Sequence, residues 1–364
     1  MKNNETIICT LPIKPQECTN AGMLISPIIM DFMGTVLDCE KNLGINLLHS
    51  YEDKSRYIIN YYEAIEKTCI NFDSIFIDKN HCDKLLEYIK ILVDEGFVEK
   101  RKVEKYVCKC GMIDMIKNSD TVSPKLYLIN NDDIICNNCL HKAEVIMSNV
   151  LVYKINDSIN KVNVIPNYLK TEFEQFNKKF KNTDYLITKQ RDTGYSLIID
   201  NEKYNIDIDF LWMNYFNLFK EPNQIYIASN HQLFQMYLMN NLIQNTTNKN
   251  VTFIANPYLK MDVKEVINLM DKKELEEFKK LLILYNLKWK NKDCAWDKGI
   301  YEFLINSSDK KLINLYQAMI LSSKENFDKF NINDIISEAL LYESNMQKNL
   351  TRMKKLIKEN KLKE

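Results

Sequence analysis

The fold of this chain is decided by Ile225-Tyr-Ile-Ala-Ser-Asn-His-Gln-Leu-Phe-Gln235, the last part of a patterned stretch that begins at Asp184. Ile225–Ala228 is a short apolar run, and the polar corner after it leads into helically spaced apolar residues from Leu233 to Leu238. This order predicts a strand, a polar loop and a helix. Polar groups at the carboxyl end of a parallel strand are where open α/β sheets bind ligands, so we expect the corner to face a ligand site.

Two further pieces precede this segment: Asp184-Tyr-Leu-Ile-Thr-Lys-Gln-Arg-Asp-Thr-Gly194 and Ile206-Asp-Ile-Asp-Phe-Leu-Trp212. In this order the pieces resemble class I aminoacyl-tRNA synthetases of the methionyl, isoleucyl and valyl type. In that family a D-W-x-I-S-R-Q-x-x-W-G segment precedes a tryptophan-containing segment and a G-x-D-Q loop. Asn230 stands where the family has an aspartate. The alternative is an unrelated α/β protein rich in Ile, Asn and Lys. The residues that match in kind are Asp184, Ile187, Gln190, Arg191, Gly194 and Trp212.

Composition limits the classes of function. The chain has 364 residues, of which 46% are hydrophobic and 27% charged, enough for about two or three domains. Lys plus Arg and Asp plus Glu both number 49, so no global basic field exists to hold nucleic acid, and we expect no DNA partner. With only 7 glycines and no glycine-rich phosphate loop, a bound phosphate would contact side chains and helix N-termini.

Targeting and membrane signals are weak in this sequence. The N-terminus is too short in apolar length for a signal peptide. The apolar run Met23–Leu37 is interrupted by Asp31 and falls short of the ~20 residues that span a bilayer. Ten cysteines in such a chain favour metal binding or free thiols over disulfides. We therefore expect a cytoplasmic protein with no membrane partner.

Residues 1–100 predict the first half of a nucleotide-binding fold. Ile7–Leu11 is a predicted strand, and Pro27–Lys41 a helix with proline at its first position and Gly44 at its end. A strand at Ile45–His49 would complete a β-α-β unit. After this unit, the same half continues with a helix at Ser55–Lys67, a strand at Ser74–Ile77 and a helix at His81–Glu95.

Residues 149–262 predict the second half of the fold. The expected elements are strands at Val150–Ile155, Ile225–Ala228 and Val251–Ala255 and a helix at Tyr168–Phe180. Together with the resemblance, this predicts an α/β fold with a Rossmann-like parallel sheet split by an insert, residues 101–148. From about Met261 the pattern becomes helical without a clear strand signal, which predicts a helical C-terminal domain at 263–364.

Two cysteine pairs, Cys108-Lys-Cys110-Gly111 and Cys136-Asn-Asn-Cys139, lie within the insert. Zinc prefers four tetrahedral soft ligands, and each tight turn supplies two thiolates. The first pair is one residue shorter than the usual spacing, and His141 is a spare ligand. The alternative is four free thiols. The resemblance also implies a structural zinc knuckle in this insert, which is too short for an editing domain and therefore points to a methionyl-like layout.

The resemblance implies two ATP-binding motifs, and this chain departs from both. The "HIGH" position, just before the first helix, falls on Met23-Leu-Ile-Ser26, where only Ser26 is polar. The "KMSKS" position falls on Lys260-Met-Asp-Val-Lys264, where Val263 replaces the central lysine. Since one transition-state donor contributes roughly 3 kcal/mol, we do not expect ordinary efficient adenylate formation.

The catalytic residues stay unknown at this stage, but a set of binding candidates remains. Each has a plain alternative: a solvated loop carboxylate, a core tryptophan, a capping or surface histidine, or a surface lysine. A histidine at the end of a strand could act as an acid or base near neutral pH. The nucleotide- or substrate-binding candidates are Ser26, Asp53, Trp212, Asn230, His231 and Lys260.

Three functions are compatible with these residues. The first is ATP-dependent amino-acid activation and transfer to tRNA or another acceptor, with ATP and Mg²⁺ bound. The second is a non-catalytic synthetase paralogue that binds tRNA, an aminoacyl ligand or a protein partner. The third is a zinc-stapled structural module without a small-molecule site. The predicted helical tail is small for an anticodon-binding domain.

Overall fold

The computed structural model describes residues 3–20, 22–48, 54–117, 127–130, 133–157, 162–190, 195–260 and 293–295. In chain order the strands are β1 (Asn3–Thr10), β2 (Cys39–Ile45), β3 (Ser74–Ile77), β4 (Val98–Val107), β5 (Asp114–Ile116), β6 (Tyr127–Asn130), β7 (Asp133–Cys136), β8 (Glu144–Lys154), β9 (Asn163–Ile165), β10 (Asp184–Leu186), β11 (Ser196–Ile199), β12 (Glu202–Asn205), β13 (Asn223–Ser229), β14 (Asn250–Asn256), β15 (Tyr258–Lys260) and β16 (Asp293–Ala295). The α-helices are α1 (Gly22–Val36), α2 (Ile58–Lys67), α3 (Asp78–Asp94), α4 (Lys170–Phe180), α5 (Ile208–Met213) and α6 (Leu233–Thr246).

The central sheet has six parallel strands in the order β3-β2-β1-β13-β14-β9. The predicted α/β class with a Rossmann-like parallel sheet is confirmed. From β1 the chain moves outward through β2 to β3, whereas β13 and β14 lie on the other side of β1. The strand order therefore reverses between β1 and β13, and this reversal point is where open α/β sheets bind ligands.

Strand β13 shows why the apolar run forms a central strand. Ile225 and Ile227 pack into one core cluster together with α1 and α2. Tyr226 and Ala228 pack into the other cluster together with α3 and α6. Because both faces of the sheet are covered, every residue of the run is buried, as expected for a parallel strand between two layers of helices.

The first helix and second strand begin earlier than the sequence predicts. Helix α1 starts at Gly22, so Pro27 lies inside it. Proline cannot donate to the Met23 carbonyl, and the Tyr61 hydroxyl on α2 donates to that carbonyl instead, at 3.4 Å. Gly44 does not end a helix; it lies in β2, where a β-carbon would sit 2.7 Å from the Thr10 carbonyl. The prediction of a strand at 45–49 was therefore wrong by several residues.

A second, antiparallel sheet has the order β10-β8-β4-β5; it combines strands that begin or end in the predicted insert with β10, which lies beyond it. The predicted strand Val150–Ile155 exists as the end of β8, but its assignment to the parallel sheet was wrong. β8 pairs antiparallel with β4 over the ladder from Val98 and Tyr153 to Val107 and Glu144. An apolar run alone does not reveal the direction of its partner strand, which explains the error.

The helical C-terminal domain predicted for 263–364 lies outside the described residues, apart from β16. That short strand pairs in parallel with β15. Within the part of the chain that the structure describes, no helix is both long and apolar enough to cross a membrane.

Candidate functional site

The candidate site lies where β1 and β13 end side by side. Thr10 at the end of β1 pairs with Ile227 of β13, and β13 continues two residues further to Ser229. The Ser229 hydroxyl accepts a hydrogen bond from the His231 backbone N–H at 3.3 Å and thereby starts the turn into α6. Asn230 is buried at this corner, whereas His231 is exposed. The polar corner expected from the sequence thus lies at the reversal point of the sheet.

A hydrogen bond ties α1 to the far half of the sheet. The Ser26 hydroxyl donates to Oδ1 of Asn256 at 2.9 Å, and Asn256 is the last residue of β14. The Asn256 amide donates in turn to the Pro257 carbonyl at 3.0 Å. Both side chains are buried, so this pair fixes the first turns of α1 beside the carboxyl end of β14.

The start of α1 contacts the segment after β14. The Asn20 Oδ1 atom accepts from the Met23 N–H at 3.1 Å and from the Tyr258 hydroxyl at 3.3 Å. The Tyr258 ring lies against Gly22, where a β-carbon would sit 2.3 Å from a ring atom. The His231 ring meets the Tyr258 ring edge-on, with centroids 5.7 Å apart. Three segments therefore converge: the start of α1, the β13–α6 corner and the β14–β15 connection.

Three of the six predicted site residues lie at this edge of the sheet. Ser26, Asn230 and His231 belong to the converging segments, and Lys260 ends β15, the strand that Tyr258 begins. Trp212 is instead buried in the core, with its indole N–H donated to Asp209 at 3.1 Å. Asp53 lies outside the described residues.

The sequence did not identify a second polar group at this edge of the sheet. Asp78, fully buried directly after β3, accepts from the Leu47 and Lys79 N–H groups at 2.8 and 2.7 Å. Burial raises the pKa of Asp78 to about 6 against the effect of these hydrogen bonds. Burial also raises the pKa of Asp209 and lowers that of the half-buried Lys14. Asp78 directly follows a strand, and that was the signal available in the sequence.

The four insert cysteines form one cluster. The Sγ atoms of Cys108, Cys110, Cys136 and Cys139 all lie within 4.8 Å of one another. Cys110 is 3.4 Å from Cys108 and 3.6 Å from Cys136. A tetrahedral zinc–thiolate site with bonds near 2.3 Å places its sulfurs about 3.8 Å apart. The four thiols therefore fit a zinc ion in both donor type and spacing.

Backbone N–H groups in the two cysteine turns donate hydrogen bonds to sulfur atoms. Gly111 has φ 71°, and its N–H donates to the Cys108 carbonyl at 2.9 Å. The Ile113 N–H donates to Cys108 Sγ at 3.1 Å and the Asn138 N–H to Cys136 Sγ at 3.4 Å. Although burial opposes it, hydrogen bonds from the Met112 N–H, the Asn138 side chain and neighbouring thiols lower the pKa of Cys110 to about 6. These donors favour the thiolate of Cys110, whereas burial raises the pKa of the Cys108 thiol.

His141 does not join the cluster. Its Nδ1 atom lies 2.6 Å from the Cys139 carbonyl oxygen, and the residue is exposed. The backbone turn is closed instead by the Cys136 N–H, which donates to the His141 carbonyl at 3.0 Å. The site is thus a four-sulfur set, and the spare ligand considered from the sequence is not needed for it.

No model of a known protein family matches this chain, and no curated protein matches its sequence. Solved structures of Mycobacterium tuberculosis methionyl-tRNA synthetase do match. The complex with methionyl-adenylate matches at 11% identity and a TM-score of 0.60, over 90% of this chain and 73% of that one. A second such complex matches at 11% and 0.62, over 89% and 72%. The free enzyme matches at 10% and 0.59, over 90% and 72%. The chain thus shares the fold of a class I synthetase.

Proposed function

We propose that this chain is a class I synthetase-like protein that binds ATP and an amino acid at the β1–β13 edge. There it activates the amino acid and transfers it to tRNA or another acceptor. The observation that carries this proposal is the convergence of α1, the β13–α6 corner and the β14–β15 connection at the reversal point of a parallel sheet. Solved neighbours with this fold include a synthetase with methionyl-adenylate.

The residues at the edge suit binding and orientation more than strong electrostatic catalysis. The N-terminal end of α1 carries a partial positive charge that favours phosphate. The exposed His231 imidazole offers ring nitrogens for hydrogen bonds to a ligand, and Lys260, a candidate from the sequence, would supply a cation for a phosphate. When bound, Mg²⁺ would neutralise charge on the triphosphate. The departures at Met23–Ser26 and Val263 support slow activation by substitute groups.

ATP–pyrophosphate exchange with each of the twenty amino acids tests this proposal. We expect exchange above background with one amino acid or a small group of them. Lys260→Ala should lower the rate about tenfold or more, in line with the loss of one transition-state contact. The matched control is Lys203→Ala, an exposed lysine on the short hairpin strand β12, which should leave the rate unchanged. Absence of exchange at high enzyme concentration counts against activation.

A second candidate is a non-catalytic paralogue that binds tRNA, an aminoacyl ligand or a protein partner. It is favoured by the contact of the Tyr258 ring with Gly22, which covers the start of α1. A non-hydrolysable aminoacyl-adenylate analogue and bulk tRNA should then each raise the melting temperature without any exchange. At a hundredfold excess over Kd the stabilisation is about 2.7 kcal/mol. If neither ligand shifts the melting temperature, this candidate fails.

The four-cysteine cluster supports a structural zinc ion, independent of the reaction. Cys108, Cys110, Cys136 and Cys139 would hold the ion, and the ion would join the two turns that end β4 and β7. This part of the proposal is shared with the third hypothesis, a zinc-stapled module without a small-molecule site. Ligand binding at the β1–β13 edge separates the two, because only the synthetase-like protein has such a site.

A further inference from the structure

Tyr258 lies against the N-terminal end of α1. Its ring covers Gly22, the first residue of α1, so closely that a β-carbon on Gly22 would lie 2.3 and 2.6 Å from two ring atoms. Contacts below 3.0 Å between a β-carbon and a ring do not persist, so any larger residue at position 22 would push the ring away. The absence of a side chain at Gly22 therefore makes room for the Tyr258 ring.

A polar contact holds the ring in this position. The Tyr258 hydroxyl donates to Asn20 Oδ1, and the same oxygen accepts from the Met23 N–H. The amide that caps the helix therefore also anchors the tyrosine. The His231 ring also contacts the Tyr258 ring edge-on, at an interplanar angle of 76°. Tyr258 is thus held between the helix start and the β13–α6 corner, the two segments that would contact a nucleotide.

The backbone that carries Tyr258 is held on both sides, because Tyr258 begins β15 and pairs there with Asp293 of β16. Asn256, two residues earlier, is fixed by Ser26 and is buried. Tyr258 itself is only half-buried. Rotation of the Tyr258 side chain about its own torsions therefore withdraws the ring while the Ser26 contact and the β15–β16 pairing stay intact.

We propose that Tyr258 is an intramolecular plug: its ring closes the N-terminal end of α1 and must withdraw before the phosphates of a nucleotide can bind there. This inference rests on the proposed function, because it takes the β1–β13 edge as the nucleotide site. The apparent affinity of a site that is open only part of the time falls in proportion to its open fraction. Removing the plug therefore strengthens nucleotide binding, the opposite of the usual effect of removing a site residue.

Two variants test the plug in different ways. Tyr258→Ala removes the ring, and Gly22→Ala keeps the tyrosine but displaces it by steric contact. Both should bind a fluorescent ATP analogue about tenfold more tightly than the wild-type chain. Tyr258→Phe keeps the ring and loses only the hydrogen bond to Asn20, so its gain should be smaller. The control is Tyr168→Ala, which removes an exposed tyrosine before α4 and should not change the affinity. Circular dichroism establishes that each variant is folded.

A second readout does not depend on nucleotide. Amide hydrogen exchange at the start of α1 should accelerate in Tyr258→Ala and Gly22→Ala, and stay unchanged in Tyr168→Ala. Unchanged affinity together with unchanged exchange overturns the plug and leaves the nucleotide site intact. Faster exchange without nucleotide binding in any variant overturns the nucleotide site, whereas the closing contact itself stands. Weaker nucleotide binding in Tyr258→Ala also overturns the plug, because the tyrosine would then be a ligand contact.

Discussion

The Ser26 hydroxyl on α1 donates to Asn256 Oδ1 at the end of β14, across 230 positions of sequence. Ser26 belongs to the helix between β1 and β2, and Asn256 ends β14 on the other side of β1, so this bond joins the early and late halves of the fold. Because both side chains are buried, water does not compete with the bond. The pair therefore holds the helix start beside the strand end that precedes Tyr258.

Removal of either partner of this bond should destabilise the protein. Ser26→Ala leaves the Asn256 amide oxygen buried without that donor, which costs about 1–2 kcal/mol. Urea unfolding of Ser26→Ala, Asn256→Ala and the double variant gives the coupling energy of the pair. Additive effects of the two substitutions would contradict a direct interaction.

Removal of zinc should unfold the insert rather than the parallel sheet. Cys136→Ser deletes one of the four ligands, so we expect loss of bound zinc and a lower melting temperature of the insert. The matched control is Cys18→Ser, which alters an exposed cysteine outside the cluster. Metal content by elemental analysis and circular dichroism with a chelator check both. Purified protein without zinc but with an ordered insert would disprove the metal site.

Asp78 should make the free energy of unfolding decrease as the pH rises, the opposite of the usual effect of a carboxylate. Its pKa in the folded protein is about 6, above the ordinary 3.8, so the folded state holds the proton more tightly than the unfolded state. The associated stability is fully present below about pH 4 and is lost as the pH rises through 6, a change of roughly 3 kcal/mol. Urea unfolding from pH 4 to 7 should show this slope in the wild type and a flatter one in Asp78→Asn. Asp83→Asn, at an exposed position of α3, should keep the wild-type slope.

The insert sheet contains a buried ion pair whose disruption should be costly. Lys105 on β4 and Asp114 on β5 lie 3.0 Å apart with side chains almost wholly buried, and Asp114 also accepts from the Gln190 N–H. Lys105→Met leaves the carboxylate without its cation, which costs about 3–5 kcal/mol. The control is Lys117→Met, which breaks the exposed pair with Glu104 and should cost less than about 1 kcal/mol. Equal effects of the two substitutions in urea unfolding would contradict the argument.

The sequence correctly predicted those features that depend on residues close together in the chain. The apolar run at Ile225–Ala228 forms a central strand, and the spacing of Cys108 and Cys136 with their partners predicted the thiol cluster. The start of α1 was misplaced because Pro27 is tolerated through a donor from Tyr61 on another helix. Gly44 was wrongly predicted to end a helix. A glycine is required there because the Thr10 carbonyl of the neighbouring strand leaves no room for a β-carbon.

The contacts of the candidate site were the least accessible to sequence reasoning. Asn20 and Tyr258 are 238 positions apart, and neither belongs to a motif that the resemblance singles out. Their contact follows from the sheet order, which places the start of α1 beside the end of β14. Trp212, in contrast, does match a residue of the resembled family, and the structure places it in the core.

The central claim is that the β1–β13 edge is a nucleotide site, and equilibrium dialysis with radiolabelled ATP and Mg²⁺ tests it most directly. We predict one ATP bound per chain, with binding weakened at least tenfold by Lys260→Glu and unchanged by the exposed control Lys203→Glu. No saturable binding at millimolar ATP, or equal binding by the wild type and Lys260→Glu, would contradict the claim.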